Sequence, residues 1–109
     1  MAEIETLTEL RDALRDFSTA RGWRQFHSPK NLAMAMIVEA AELVEHFQWA
    51  TEEQSRALDA EKLAEVRDEV ADTLIYLVEL ADALGIDLLA AAQDKLAKNA
   101  IKYPAGDLR

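Results

Sequence analysis

Two pairs of acidic residues at helical spacing are the side chains of this sequence best suited to chemistry. Glu39 and Glu42 lie three positions apart, and Glu69 and Asp72 repeat that spacing in a second segment. Residues three apart on a helix project from neighbouring turns on one side. Carboxylates held together raise one another's pKa unless a cation offsets their charge, and Mg²⁺ prefers such oxygen ligands. Packed as antiparallel helices, the two segments would form a carboxylate metal site.

Spacing alone leaves other interpretations of these acids open. The chain has 21 acidic residues, and Glu65, Asp68 and Glu79 also border the apolar arc of the second segment, so the pattern by itself favours a solvated helix face. A di-iron bundle requires Glu-x-x-His on two helices, and Leu43 stands three residues before His46, which excludes it. The sequence contains no cysteine, which excludes zinc–thiolate sites, disulfides and thiol nucleophiles.

The elements that must position these acids are helices, because no strand-like alternation occurs and capping patterns recur. Ser/Thr/Asp at a helix start, Pro at the first helical position and Gly after the last turn mark the boundaries. Helices are predicted from Thr6 to about Gly22, from Ser28 to about Trp49, from about Ala60 to Leu84, and from Asp87 to just before Pro104. A short turn is expected between Thr51 and Asp59. We predict an all-α, four-helix bundle-like single domain over residues 1–109, with a flexible tail at about 105–109.

The second predicted helix is apolar nearly all round, which is typical of a helix buried on two sides. In a chain of 109 residues a second subunit is the simplest way to cover the second side, so we expect a homo-oligomer, a dimer or a tetramer.

The net charge of -9 argues against nucleic-acid binding, which relies on Lys and Arg. No apolar run is long enough to cross a bilayer and the first residues do not resemble a signal peptide, so we expect no membrane partner and a soluble, cytoplasmic protein.

The acidic pattern, taken with its flanking segments, resembles a known family. Glu39-Ala-Ala-Glu42 followed by Glu69-Val-Ala-Asp72 is similar to the EXXE…EXXD signature of the all-α nucleoside triphosphate pyrophosphohydrolases, the MazG-like group. The segments Arg21-Gly-Trp-Arg-Gln-Phe-His27 and Phe47-Gln-Trp49, in that order, resemble the dCTP pyrophosphatase branch of the group, as does the closing segment Lys95–Ala105. Together they make the likeness far more specific than the four acids alone.

The resemblance implies hydrolysis of a (deoxy)nucleoside triphosphate, dCTP or a related pyrimidine nucleotide, to the monophosphate and pyrophosphate. It implies that Glu39, Glu42, Glu69 and Asp72 bind Mg²⁺, for which Mn²⁺ can substitute, and that a metal-activated water attacks the α-phosphorus. Aromatic residues would contact the nucleoside, and a C-terminal segment would close over the triphosphate. The substrate-contacting positions implied are Trp23, His27, Asn31, Trp49, Tyr76, Lys95, Asn99, Lys102 and Tyr103.

One departure from the branch concerns the base. Leu14 stands where the animal dCTP pyrophosphatases have a histidine that reaches the base, so a modified or non-standard nucleotide is an alternative substrate.

A second hypothesis, of a different class, is a non-catalytic helical oligomerisation or partner-binding module. It would account for the apolar second helix and treat the acids as solvated surface.

Overall fold

All regular secondary structure is helical over the residues that the structure describes, 3–106 of the computed structural model. In order the helices are α1 (Leu7–Ala20), a single 3₁₀ turn (Arg24–Phe26), α2 (Pro29–Glu45), the short α3 (Glu52–Ser55), α4 (Ala60–Ala83) and α5 (Leu88–Lys102). The all-α prediction is confirmed, and the four long helices lie where the sequence places them, apart from the end of α2. Of the predicted tail, Ala105 and Gly106 form a turn, and residues 107–109 lie outside the described residues.

Local capping fixes where these helices begin and end. At every α-helix start the side chain of the N-cap residue accepts the N–H of the residue three positions on, with Thr6, Ser28, Thr51, Asp59 and Asp87 as the caps. Each such bond satisfies a backbone donor and contributes about 1 kcal/mol. Gly22 and Gly85 follow α1 and α4 with φ of 67° and 68°, a conformation that other residues adopt only with strain.

The end of α2 differs from the prediction, which extends this helix to about Trp49. Regular helix ends at Glu45, and residues 46–49 continue as tight turns. The N–H groups of Phe47 and Gln48 both donate to the carbonyl of Val44, at 2.9 Å each. The bond of Phe47 spans three residues instead of four, and such a bond tightens the last turn of a helix. Apolar periodicity persists through this turn, so the sequence pattern does not reveal the change.

The helices α2 and α4 form the main pair, and they run antiparallel. Leu32 of α2 lines a cleft together with Val78 and Glu79 of α4. Two turns later along α2, Glu39 faces residues near the middle of α4. Near the end of α2, the Nδ1 atom of His46 lies 3.3 Å from Nζ of Lys62. As residue numbers increase along α2, the facing residue numbers decrease along α4, so polar side chains of the two helices lie in facing turns. Helix α1 also packs on α4.

A single chain buries little apolar surface. In the described residues the buried apolar side chains are those of Leu32, Val66, Val78 and Ala81. The radius of gyration is 16.8 Å, whereas a compact domain of this length has about 13 Å. The accessible surface is 8660 Å², against about 6,100 Å² expected for a compact monomer of this mass. About 2,600 Å² per chain is therefore exposed in excess.

Exposed apolar side chains form stripes along the two central helices. The α2 stripe consists of Met34, Ile37, Val38, Ala41 and Val44, and the α4 stripe of Leu63, Val70, Leu74, Leu77 and Leu84. Their spacing of three and four residues places each set on one helix face. No helix in residues 3–106 has the length and apolar character needed to cross a membrane.

Candidate functional site

An acidic cluster lies where the middle turns of α2 and α4 face each other. Carboxylate oxygens of Glu39, Glu69 and Asp72 all lie within 4.8 Å of one another. Glu39 comes from α2 and the other two from α4, with Glu39 and Glu69 half-buried and Asp72 exposed. The antiparallel pairing therefore brings three of the four predicted metal ligands together, at the positions that their spacing indicated.

Glu42, the fourth predicted ligand, lies beside this group of three. Its carboxyl is half-buried on the next turn of α2 and interacts with both Glu39 and Glu69. A change of rotamer, without movement of the backbone, is the kind of adjustment that brings such a side chain onto a shared ion. We define the acidic cluster as these four residues.

Crowding perturbs the protonation of the acidic cluster. Burial is the largest cause that raises the pKa of Glu39 to about 7, and the carboxyls of Glu42 and Asp72 raise it further. Burial also raises the pKa of Glu69, with the charge of Glu42 as the second cause. These directions are expected where carboxylates repel one another in a poorly solvated place. Without a cation the cluster therefore retains a proton near neutral pH.

One oxygen of the cluster has no partner. Within the described chain Oε2 of Glu69 is buried and makes no hydrogen bond. Buried polar atoms of native proteins are almost always satisfied by protein, water or an ion. Carboxylates from two rigid helices, with the exposed Asp72 at the open side, offer a hard divalent cation oxygen ligands and leave it coordination positions for phosphate or water. The residues present fit such an ion.

The structure separates the cluster from two acids that spacing could not exclude. Oε2 of Glu65 lies 3.5 Å from Nζ of Lys62 and 3.7 Å from Nδ1 of His46, in an ion-pair group at the far end of the helix pair. Glu79 accepts a hydrogen bond from the hydroxyl of Ser18 at 3.4 Å. Each therefore has a local protein partner, whereas Oε2 of Glu69 has none in the described residues.

Of the predicted aromatic contacts, Tyr76 lies near the cluster, one turn of α4 beyond Asp72. Its pKa is raised by burial first and then by the charges of Glu39, Glu79 and Asp72, which shows that these carboxyls act on its hydroxyl. Trp23 packs edge-on against Phe17, with ring centroids 5.7 Å apart, and stays about half exposed. Trp49, beyond the end of α2, is 89% exposed. In one chain the two indole rings are surface groups.

His27 and Asn31 flank the start of α2. His27 is half-buried and lines the cleft that Glu79 also lines. The side-chain amide of Asn31 donates to the carbonyl of Phe26 at 3.0 Å. This bond ties the 3₁₀ turn to the first turn of α2, so Asn31 has a structural function in the chain as described.

The predicted residues of α5 are not brought to the cluster within one chain. Lys95 and Lys102 are exposed, while Asn99 and Tyr103 are partly buried. Nζ of Lys102 lies 5.2 Å from the centre of the Tyr103 ring. Extensive helix–helix contacts in residues 3–106 join α2 with α4 and α1 with α4, and α5 forms none of that extent. The described chain therefore shows no packing of α5 that would hold these side chains against α2 and α4.

Sequence reasoning missed a polar cleft near the cluster. It is lined by residues of α1, the start of α2 and the second half of α4, among them Arg15, Ser18, Glu79 and Asp82. Arg15 and Asp82 form a two-bond ion pair, with Nε donating to Oδ2 at 2.8 Å. The available signal was the continued spacing of acids along the border of α4, from Asp72 to Glu79 and Asp82.

The fold and the site define a class: all-helical chains with an acidic cluster, able to bind a metal ion, between antiparallel helices. The sequence model of the MazG-like family matches residues 34–108, which is more than half of the chain. The chain belongs to the MazG-like family.

Similar proteins have related names. dCTP pyrophosphatase 1 of Mus musculus is 40% identical over 101 residues, which are 91% of this chain and 59% of that protein. The Homo sapiens protein of the same name is 38% identical over 102 residues, 92% and 60% respectively, so the chain spans about 60% of the length of these curated relatives. The crystal structure of a pyrophosphatase from Archaeoglobus fulgidus has 40% sequence identity to this chain. The two superpose with a TM-score of 0.86 over 95% of this chain and 97% of that one.

Proposed function

We propose that this protein hydrolyses nucleoside triphosphates to the monophosphate and pyrophosphate in a Mg²⁺-dependent reaction. The acidic cluster carries the proposal, because three carboxylates lie within 4.8 Å and one buried oxygen has no partner in the described chain. The names of the similar proteins, dCTP pyrophosphatase 1 and pyrophosphatase, support the same reaction class. Such an enzyme would serve to remove unwanted triphosphates from the deoxynucleotide pool.

The acidic cluster would hold the ion through Glu39, Glu42, Glu69 and Asp72. Bound Mg²⁺, or Mn²⁺ in its place, neutralises charge on phosphoryl oxygens and lowers the pKa of a water molecule. The protein fixes the ligands on two helices whose antiparallel packing leaves little freedom. One carboxylate of the cluster accepts the proton of the water that attacks the α-phosphorus, so no side-chain nucleophile is required.

The overall charge of the protein is consistent with this role for a cation. A chain of net charge -9 repels a free triphosphate. A divalent ion at the acidic cluster offsets much of the local negative charge and binds phosphate oxygens directly. Both the binding of the substrate and the chemical step should therefore depend on the ion.

The substrate we propose is dCTP or a related or modified pyrimidine nucleotide. Tyr76 lies near the cluster, and the exposed rings of Trp23 and Trp49 offer flat surfaces on which a base can stack. His27 and Asn31 would add polar contacts. Lys95, Asn99, Lys102 and Tyr103, at the C-terminal end of the described chain, would close over the triphosphate, either in an assembly or by a movement of α5.

We propose a homo-oligomer, a dimer or tetramer, as the working form. The excess of about 2,600 Å² of exposed surface per chain exceeds the roughly 800 Å² that each partner buries in a standard interface. The two apolar stripes of α2 and α4 are the surfaces that a second copy would cover. The cytoplasmic location expected from the sequence stays a prediction.

The proposal is tested by incubating the purified protein with Mg²⁺ and a panel of standard and modified triphosphates, and identifying the products. Glu42→Gln and Asp72→Asn should each reduce kcat by at least about a hundredfold, since each removes a charged ligand of the ion. The matched controls are Glu45→Gln and Asp68→Asn, exposed neighbours on the same helices, which should retain activity. Near-normal rates from either cluster variant would refute the site. No turnover across the panel would favour a non-catalytic helical module instead.

A further inference from the structure

A small cleft along the same helix pair as the acidic cluster has a mixed apolar and polar lining. It has a volume of about 60 Å³, is open to solvent, and lies between α1, the 3₁₀ turn, the start of α2 and the second half of α4. Ligand sites generally combine an apolar floor with a few polar groups. Here Leu14, Leu32 and Val78 supply the apolar part of the lining.

The cleft and the acidic cluster lie about two helical turns apart along the same helix pair. Leu32 precedes Glu39 by two turns of α2, and Glu79 follows Asp72 by two turns of α4, so both pairs lie on matching faces of the antiparallel helices. Seven residues of helix rise about 10 Å. Tyr76 lies between them, and its pKa is raised by burial and by charges of both the cluster and Glu79. The spacing suits a nucleotide, in which one sugar separates the phosphates from the base.

Two charged groups of the cleft, those of Arg15 and Asp82, are engaged with each other. Arg15 donates two hydrogen bonds to Asp82, and the side chain of Asp82 is only 16% exposed. Glu79 is different. Its Oε1 accepts the hydroxyl hydrogen of the buried Ser18 at 3.4 Å, a long bond. A carboxylate offers about four lone pairs, so most of the accepting capacity of Glu79 remains for a ligand.

We infer that Glu79 determines base specificity by accepting a hydrogen bond from the exocyclic amino group of a 4-aminopyrimidine held in this cleft, with Ser18 orienting the carboxyl. The inference rests on the proposed function, because it assigns the base end of the same substrate. It concerns neither the metal ligands nor the hydrolytic step.

The chemistry of the two pyrimidine types explains the selectivity. A carboxylate only accepts hydrogen bonds, and the amino group at position 4 of cytosine donates them. The oxygen at position 4 of uracil or thymine also only accepts, and the ring N–H beside it is flanked by two carbonyls that repel the carboxylate. Burial is the main cause that raises the pKa of Glu79 and the charge of Asp82 adds to the rise, while His27 and the hydrogen bond from Ser18 oppose it.

The test compares kcat/KM for dCTP and dUTP, which differ only at the 4-position and the adjacent ring nitrogen. A hydrogen bond to a charged group predicts a preference for dCTP of about 10- to 100-fold in the unmodified protein. In Glu79→Gln the amide can rotate to accept from an amino group or donate to an oxygen, so the ratio should fall to within about threefold. Glu61→Gln, an exposed site on the same helix, should leave the ratio unchanged. The change should lie mainly in KM, because Glu79 is remote from the reacting phosphorus.

The outcomes separate this inference from the proposed function. If the unmodified protein hydrolyses no triphosphate, the proposed function fails, and the inference with it. If it hydrolyses triphosphates but Glu79→Gln keeps the ratio, or if it prefers dUTP, only the inference is overturned. Should Glu79→Gln not fold, as judged by circular dichroism, two measurements decide instead. Ser18→Ala should lower the ratio several-fold, and dCMP should inhibit the unmodified protein at least tenfold more strongly than dUMP; equal inhibition refutes the inference.

Discussion

A charge placed in the α2 stripe should dissociate the proposed homo-oligomer. Ile37 lies in the middle of that stripe and is 61% exposed in the single chain. Ile37→Asp replaces an apolar side chain by a carboxylate of smaller volume and leaves the buried α2–α4 contact intact. The perturbation therefore acts on the exposed face, and the fold of the individual chain should survive.

The magnitude follows from the exposed fraction. Complete burial of an isoleucine side chain stabilises by about 1.5–3 kcal/mol, so covering the exposed part of Ile37 contributes about 1–2 kcal/mol per chain. A two-fold interface contains the substitution twice, and each buried, unpaired carboxylate costs several kcal/mol more. A total above about 4 kcal/mol raises the dissociation constant by at least about a thousandfold.

Size-exclusion chromatography with light scattering measures this directly. The unmodified protein should have a mass that is a multiple of the chain mass of 12.2 kDa, and Ile37→Asp should shift it to a smaller species at micromolar concentration. Ala64→Asp, which adds the same charge on an exposed position of α4 outside its stripe, is the matched control and should keep the original mass. A monomeric unmodified protein, or an Ile37→Asp protein of unchanged mass, would refute the reasoning.

Two further predictions concern the site and the core. Because the pKa of Glu39 is raised from 4.5 to about 7, the folded protein binds this proton more tightly than the unfolded chain does, so the resulting stability is present below about pH 4.5 and is lost as the pH rises through 7. Without divalent ions the Tm should fall as the pH is raised from 5.5 to 8, and Mg²⁺ should restore the Tm most strongly at pH 8. In Glu39→Gln the dependence of Tm on pH should become weaker. An equal increase of Tm by Mg²⁺ at both pH values would contradict this reasoning. Leu32 is 2% exposed between α2 and α4, so Leu32→Ala should lower the free energy of unfolding by about 2–5 kcal/mol in denaturant titrations at fixed protein concentration; a loss under 1 kcal/mol would show that this contact is not central.

The helix boundaries could be predicted because they depend on neighbouring residues. Thr6, Ser28 and Asp87 all cap helices as their sequence patterns indicate. The exception is the end of α2, where the predicted helix continues to about Trp49. The local sequence keeps its apolar periodicity there, and only the choice of carbonyl partner distinguishes a helix from a series of turns.

The acidic cluster could be predicted in part. Spacing placed Glu39 and Glu69 on helix edges, but the same spacing applied to Glu65 and Glu79. The difference between them is a matter of partners: Glu65 has Lys62 and His46, whereas an oxygen of Glu69 has no partner in the described residues. Partners are set by which turns of two helices face each other, and that register is a long-range property.

The cleft near the acidic cluster could not be predicted from the sequence, because it also depends on long-range packing. It requires Ser18 of α1 to meet Glu79 of α4, residues 61 positions apart. Neither residue is unusual in its own segment. The position of α5 was equally unpredictable, since its amphipathic pattern indicates that an apolar face must be covered and does not indicate by which chain.

The proposed reaction is tested most directly by the fate of the attacking oxygen. Hydrolysis of dCTP is carried out with Mg²⁺ in ¹⁸O-labelled water, and the products are identified by phosphorus NMR and mass spectrometry. The account predicts equal amounts of monophosphate and pyrophosphate, with the label in the monophosphate, because water attacks the α-phosphorus. Orthophosphate with a diphosphate, label in the pyrophosphate, or turnover that persists after removal of divalent ions would contradict it.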